Sequence, residues 1–407
     1  MTPAPTRVDR RARGAVAVLF VVNGATYNSI VGWFPTLRDA LGLSNAELGT
    51  AVAAFPGAAL VVGVLAGPLI ARFGGGRVAV VVGVLGALLL PLVAVASSWL
   101  VFAATLFVLG VTDAWTDAAM NAQGLRVQER YGRSIINGLH ATWSIAAVGA
   151  GLVGAAAVGL GVPILVHFGV VAALLLVAST LAWRYLLPEP SPEVEAPEDG
   201  REPAACGGGL RSVLLSWRVA GPLLAIAALM VCSGGVEDSA ASWGAVYLRD
   251  DLGAGAFVAG LPFVAFQVAM TVGRFGGDRV VDGLGAVRVA RAGALLAALA
   301  LGGALLVAAP MAAIVGYALG GLGVSTLFPL AFAAAGSVPG VRAGDGIAVV
   351  GWLARLGFLA VPPAIGSLAD AYSVSVGLVL VPCAALGAAL LAGSLRHREE
   401  APPSGDR

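Results

Sequence analysis

Leu37-Arg38-Asp39-Ala40-Leu41-Gly42 returns as Leu248-Arg249-Asp250-Asp251-Leu252-Gly253, an offset of 211 residues from Arg38 to Arg249. The same offset carries Gly74 to Gly285, Arg77 to Arg288 and Ser134 to Asp345. The last pair suits the N-caps of two related helices. A constant offset over such distant landmarks marks a duplicated unit. Each hexapeptide follows the first apolar run of a set of six. The first set covers roughly 14–37, 45–70, 77–97, 99–125, 134–158 and 163–187. The second covers roughly 219–248, 256–275, 288–308, 311–336, 346–369 and 374–395. Runs of ~20 apolar residues span a bilayer as helices, and their continuity, without alternation, excludes a β-barrel. The expected fold is an all-α membrane protein with 12 transmembrane helices in two pseudo-symmetric six-helix halves.

Composition agrees. Of the 407 residues, 58% are hydrophobic and 12% charged, with a mean hydropathy of +0.91. Soluble domains carry roughly 25% charged residues, so an ordinary soluble enzyme and a disordered chain are both excluded. All 24 basic residues are Arg. With the N-terminus inside, 21 of these 24 fall on inner segments, only Arg38 and Arg249 lie in outer loops, and Arg355 lies within a span. That bias places both termini in the cytoplasm. The first apolar run lacks a small-residue cleavage site and reads as a retained helix. The expected parts are a tail (1–13), a first half (14–187), a linker (188–218), a second half (219–395) and a tail (396–407). Within the linker, PEPSPEVEAPEDGREPAACGGG (188–209) has no apolar face and reads as a tether.

Some chemistry has no sequence basis. Cys206, Cys232 and Cys383 are scattered and suggest neither a metal site nor a disulfide framework. No basic patch is interleaved with aromatics, so no nucleic-acid partner is expected. No Gly-Lys-Ser/Thr loop or nucleophile–base set is present, so neither ATP use nor an enzyme is expected. No cofactor is implied.

The stretch between the second and third runs reads Gly67-Pro68-Leu69-Ile70-Ala71-Arg72-Phe73-Gly74, then Arg77. Its second copy reads Asp278-Arg279-Val280-Val281-Asp282-Gly283-Leu284-Gly285, then Arg288. These resemble the Gly-x-x-x-Asp-Arg-x-Gly signature of major facilitator superfamily (MFS) transporters. The first copy replaces the acid with Ala71, and the second keeps Asp282 but not the following Arg. DAAMNAQG (117–124) with GLHATWS (138–144), WGAVYLRDDLG (243–253) with FQVAMTVGRFGGDR (266–279), and ARLGFLAVPPAIGSLAD (354–370) resemble the fucose-permease-like, YbjJ-like branch. The resemblance implies secondary active transport of a small solute by alternating access in a bacterial inner membrane, by symport or antiport. It also implies proton coupling through an acid of the fourth helix, a lipid-embedded monomer, and a lock between the halves on the inner side.

The buried polar residues locate the expected site. Asp113, Asp117 and Asn121 follow one face of the fourth helix, with Asp113 about 20 Å below the outer end. A carboxylate at that depth costs at least ~2.5 kcal/mol unless it meets a wet cavity or a partner. Removing a carboxyl from water disfavours its charged form, which suits it to loading and releasing a proton. The alternative is a structural pin between helices. Glu237 and Asp238 are adjacent, so one of them, Glu237 by preference, is expected to face the pore. Asp113, Asp117 and Glu237 are the proton-coupling candidates. Asn23 and Tyr27 share a helix face and suit a sugar- or polyol-like ligand, or else interhelical hydrogen bonding. Arg355 sits ~13 Å into its span, beyond snorkelling reach, and needs a carboxylate or an anionic substrate. Trp352 flanks it. Trp143, Trp243 and Gln267 are further cavity candidates, and Asp113, Asp117, Glu237 and Asp238 also serve as substrate groups. The inner gate set is Arg72, Arg77, Asn121, His140, Arg274, Asp278, Arg279, Asp282 and Arg288. Asp282 is expected near Ser134 at the positive end of the fifth helix. Simple inside anchoring is the alternative for these arginines. Two other functions stay open: a drug or metabolite exporter by proton antiport, and a membrane sensor or scaffold that does not transport.

Overall fold

The computed structural model describes residues 5–188, 217–339, 341 and 343–396. Most of the expected linker, with Cys206, Arg201 and Arg211, lies outside the described residues, as do Arg342, Arg398 and Arg407. Among the described residues, twelve helices are long and apolar enough to cross a membrane. They are α1 (Arg7–Leu41), α2 (Asn45–Phe73), α3 (Gly75–Ala94), α4 (Trp99–Tyr131), α5 (Ile136–Gly159) and α6 (Ile164–Trp183) in the first half. The second half holds α7 (Val219–Ser242), α8 (Ala256–Leu284), α9 (Ala286–Val307), α10 (Pro310–Gly336), α11 (Gly344–Ala371) and α12 (Val374–Leu395). An even number of crossings puts Pro5 and Arg396 on one face, the Arg-rich face.

Local chemistry shifts several boundaries from the sequence expectation. Residues 7–13 of the segment read as a tail already belong to α1. Thr6 and Asp9 form a reciprocal capping box, and Arg130 pairs with Asp9 at 2.7 Å. Trp243 interrupts the seventh run, so α7 ends at Ser242 and a separate short helix, Gly244–Asp250, follows. Ser134 is not the N-cap of α5. The side-chain oxygen of Gln128 instead accepts from the backbone N–H of Ile135 at 2.9 Å, next to the start of that helix. Asp345 lies in the first turn of α11 and does not precede it.

The duplication is visible in backbone angles. Gly42 and Gly253, which end the two hexapeptides, have φ of +63° and +62°. Gly74 and Gly285 adopt φ/ψ of 86°/142° and 85°/147° between consecutive helices. Only glycine holds the second conformation without large strain.

The halves meet on the face opposite the Arg-rich one. There α2 packs on α11. A methyl group added at Gly366 would overlap the Asn45 backbone, and one at Gly49 would overlap that of Pro362. Likewise α5 packs on α8, with Gly159 against Phe257, Gly260 against Ala155 and Gly151 against Phe263. Small residues permit this approach where apolar side chains gain nothing by leaving lipid. Ion pairs close the same face: Arg38 binds Asp250 at 2.6 Å and Arg249 binds Asp39 at 2.9 Å. Asp370 of α11 accepts the backbone N–H groups of Asn45 and Ala46, both at 2.8 Å, at the positive end of α2.

Candidate functional site

Toward the Arg-rich face the halves separate around a cavity of about 810 Å³. Asn23, Tyr27, Asp113, Asp117, Trp143, Glu237, Asp238, Gln267, Trp352 and Arg355 all line it. Phe55, Phe263 and Phe358, which carry no chemistry in the sequence reading, supply much of its apolar wall, and Asn28 also lines it while donating to the Gly24 carbonyl at 2.7 Å. Trp243 does not reach it. That indole is fully buried in the second half, and its Nε1 has no hydrogen-bond partner.

The first half contributes a completed network. The indole N–H of Trp143 donates to Asn23 Oδ1 at 2.8 Å, and Asn23 Nδ2 donates to Asp113 Oδ1 at 2.9 Å. Gly24 permits this meeting of α1 and α5, since a methyl group there would crowd the Trp143 backbone at 2.7 Å. Both ends of the Asn23 amide are engaged, one by Trp143 and one by Asp113. Tyr27 lies against Phe55 with ring centroids 4.1 Å apart.

Toward the Arg-rich face a second chain follows. Asn121 donates to Asp117 Oδ1 at 3.1 Å, and His140 Nε2 lies 3.2 Å from Asn121 Oδ1. The α4 face therefore carries two separate clusters, one around Asp113 and one around Asp117. Asn121 and His140, expected at the gate, belong to the second cluster.

The second half differs. Both Glu237 and Asp238 line the cavity, where one was expected. Asp238 accepts from Ser242 on its own helix at 3.1 Å. Among the described residues, Glu237 and Arg355 make no hydrogen bond or ion pair. Gln267 is 5% exposed, and its Oε1 has no partner. Arg355 is near enough to Asp117 to act on it electrostatically, and Arg274 acts in the same way on Glu237 and His140.

The remaining gate candidates stand apart. Among the described residues, none of Arg72, Arg77, Arg274, Asp278, Arg279, Asp282 and Arg288 joins an ion pair, and Asp282 makes no hydrogen bond at α5. Arg72 lies over the ring of its neighbour Phe73, 5.4 Å from the centroid. The sequence reading missed the residues that do hold the halves together: Arg38, Asp39, Arg249, Asp250 and Asp370. Four of them sit in the repeated hexapeptide. The available signal was its charge pattern, in which each copy carries an Arg followed by an Asp.

The family model of the Major Facilitator Superfamily matches residues 16–275 and 229–407. An "Uncharacterized MFS-type transporter" of Yersinia pestis is 31% identical over 363 residues, covering 89% of each chain. Two solved structures share the fold. The nucleoside transporter NupG has a TM-score of 0.71 at 15% identity, covering 96% of this chain and 98% of that one. A D-xylose-proton symporter has a TM-score of 0.70 at 14% identity, covering 94% and 97%. With its twelve helices, its internal repeat and these likenesses, the chain belongs to the major facilitator superfamily of transporters.

Proposed function

We propose that the protein is a proton-coupled secondary transporter of a small polar solute, with Asp113 as the proton carrier. The Trp143–Asn23–Asp113 network carries this reading. It fixes a carboxyl group at the cavity wall, midway through the bundle, without neutralising it by a cation. A proton arriving at Asp113 removes a charge whose burial is costly, and its departure restores that charge. Coupling follows if solute and proton favour the same closed-over arrangement. The D-xylose-proton symporter, which shares the fold, fits this class of mechanism.

In this reading the Arg-rich face is cytoplasmic by the positive-inside bias. Both termini lie there, and the chain acts as a monomer in a bacterial inner membrane. The present arrangement is then open to the cytoplasm and locked outside by Arg38–Asp250, Arg249–Asp39 and Asp370. The opposite state needs these contacts broken and the cytoplasmic ends brought together. Asp282 and the separated arginines of that face are the groups available for the second lock. The uncharged-polyol reading rested on Asn23 and Tyr27. With Asn23 engaged at both ends, the cavity groups without a hydrogen-bond or ion-pair partner among the described residues include the Tyr27 hydroxyl, Glu237, Gln267 Oε1 and Arg355.

The test is proton movement in liposomes carrying the purified protein and a trapped pH dye, challenged with sugars, polyols, nucleosides and amino compounds. Solute-dependent acidification in wild type, lost in Asp113→Asn with solute exchange retained, is the expected result. Coupled movement that persists in Asp113→Asn removes the role. Solute movement by no member of the set favours the sensor reading.

A further inference from the structure

The second half lines the cavity with groups of opposite charge that satisfy no partner of their own. Glu237 projects from α7 and Arg355 from α11, and neither is paired among the described residues. Gln267 adds an acceptor, Oε1, buried at the wall and without a donor. Burying an acceptor without a donor is costly; Glu237 is half-buried, and Arg355 is exposed and free to meet a ligand. The contrast with the first half, where Trp143 donates to Asn23 and Asn23 to Asp113, separates groups that are held from groups that are free.

Helix register gives their spacing. α7 and α11 run parallel, with Gly234 against Phe358, Gly235 against Val361 and Gly357 against Val231. In that register Glu237 lies about two turns, roughly 10 Å, farther from the Arg-rich face than Arg355. The two side chains therefore do not neutralise each other. A molecule lying along the cavity can meet both.

We propose that the transported solute is amphoteric: a protonated amine held by Glu237 and Gln267 Oε1, joined by a short chain to an oxyanion held by Arg355. This rests on the transporter reading and narrows it to a substrate class. The amine supplies the donor that Gln267 lacks and a charge opposite to Glu237. The oxyanion accepts the guanidinium N–H groups in forked geometry. Trp352 and Phe358 give the linking chain an apolar wall.

The experiment is thermal stabilisation of the full chain in detergent by glycine, γ-aminobutyrate, ε-aminocaproate, butylamine, butyrate and xylitol. A ligand that binds only the folded protein raises its unfolding temperature. At least one amphoteric probe is expected to stabilise the protein more than the amine, the acid or the polyol. Arg355→Gln should weaken that probe about tenfold or more and bring it level with butylamine, while Arg355→Lys, which keeps the charge but not the fork, should weaken it less. Glu237→Gln should bring it level with butyrate. This double dissociation is not expected from a loss of fold, which would remove all binding alike. Xylitol binding as strongly as the amphoteric probes overturns the assignment, as does no shift with any amphoteric probe. If xylitol binds and moves protons, the amphoteric class fails and proton coupling stands. If an amphoteric probe binds with both dissociations but moves no protons, the class stands and the coupling fails.

Discussion

Arg38 in the first half grips Asp250 in the second at 2.6 Å, and the repeat operation that carries Arg38 to Arg249 carries this pair onto Arg249–Asp39 at 2.9 Å. The Arg38 and Asp250 side chains are 14% and 24% exposed, whereas Arg249 and Asp39 are 25% and 55% exposed. Less water around the first pair makes it the stronger of the two. Arg38→Ala is therefore expected to move the balance toward the state open on the opposite face by about fivefold, on the order of 1 kcal/mol. Asp39→Ala should do less. Spin labels at Ala40, in the last turn of α1, and at Gly255, just before α8, on a protein with its native cysteines replaced, report the distance. High salt should act in the same direction on wild type.

Packing supplies a second handle on the same equilibrium. Gly366 faces the Asn45 backbone with no room for a methyl group. Gly366→Val is expected to wedge α11 from α2 and lengthen the same label distance. It should do so independently of salt, which separates a steric change from an electrostatic one.

Proton movement should follow the Asp113 network in order. Asp113→Asn is expected to bring solute-dependent proton movement down to that of empty liposomes. Asn23→Ala, which removes a charge-assisted hydrogen bond, should lower it about tenfold. Trp143→Phe loses only the bond that orients Asn23 and should have the mildest effect. A pH-dye time course on the three variants checks the order.

Glycine substitutions should change sign with backbone conformation. Gly285→Ala forces a side chain into φ +85° and is expected to cost about 1–3 kcal/mol. Gly276→Ala, within α8 and facing open space, should be neutral or stabilising by up to about 1 kcal/mol. Thermal unfolding in detergent, read for both variants, decides.

The fold was legible because a bilayer imposes length and continuity on every span, and because the repeat fixed the pairing of halves. Gly74 and Gly285 show how closely the two copies agree. Boundaries were less legible where polar groups extend helices: Asp9 and Arg130 hold the start of α1 in place of a tail. The site residues on α1, α4, α5, α7, α8 and α11 meet in one cavity, as depth and helical face suggested. Trp243 fails because α7 ends one residue before it, turning the indole into the core. The ion pairs opposite the Arg-rich face escaped notice for a different reason. Arg38 and Arg249 look like two exceptions to a charge bias, each beside its own aspartate, until the halves are laid face to face and each also pairs with the other half's aspartate. Asn23 likewise reads as a ligand group until Trp143 and Asp113 occupy both ends of its amide.

The reciprocal ion pairs have the form of an isologous contact, in which one residue meets a second and the equivalent of the second meets the equivalent of the first. A surface of this kind is complementary to itself. A single six-helix unit bearing Leu-Arg-Asp at its outer corner can therefore close against a copy of itself. Joining two such copies in one chain needs no new surface for this seal. A substitution fixed before such a fusion would have altered both bridges at once, whereas one fixed afterwards alters each separately. Asp251, which stands where the first copy has Ala40, is such a later divergence or its mirror: its carboxylate receives the Ser375 backbone N–H at 2.7 Å, a bond that Ala40 has no side chain to make.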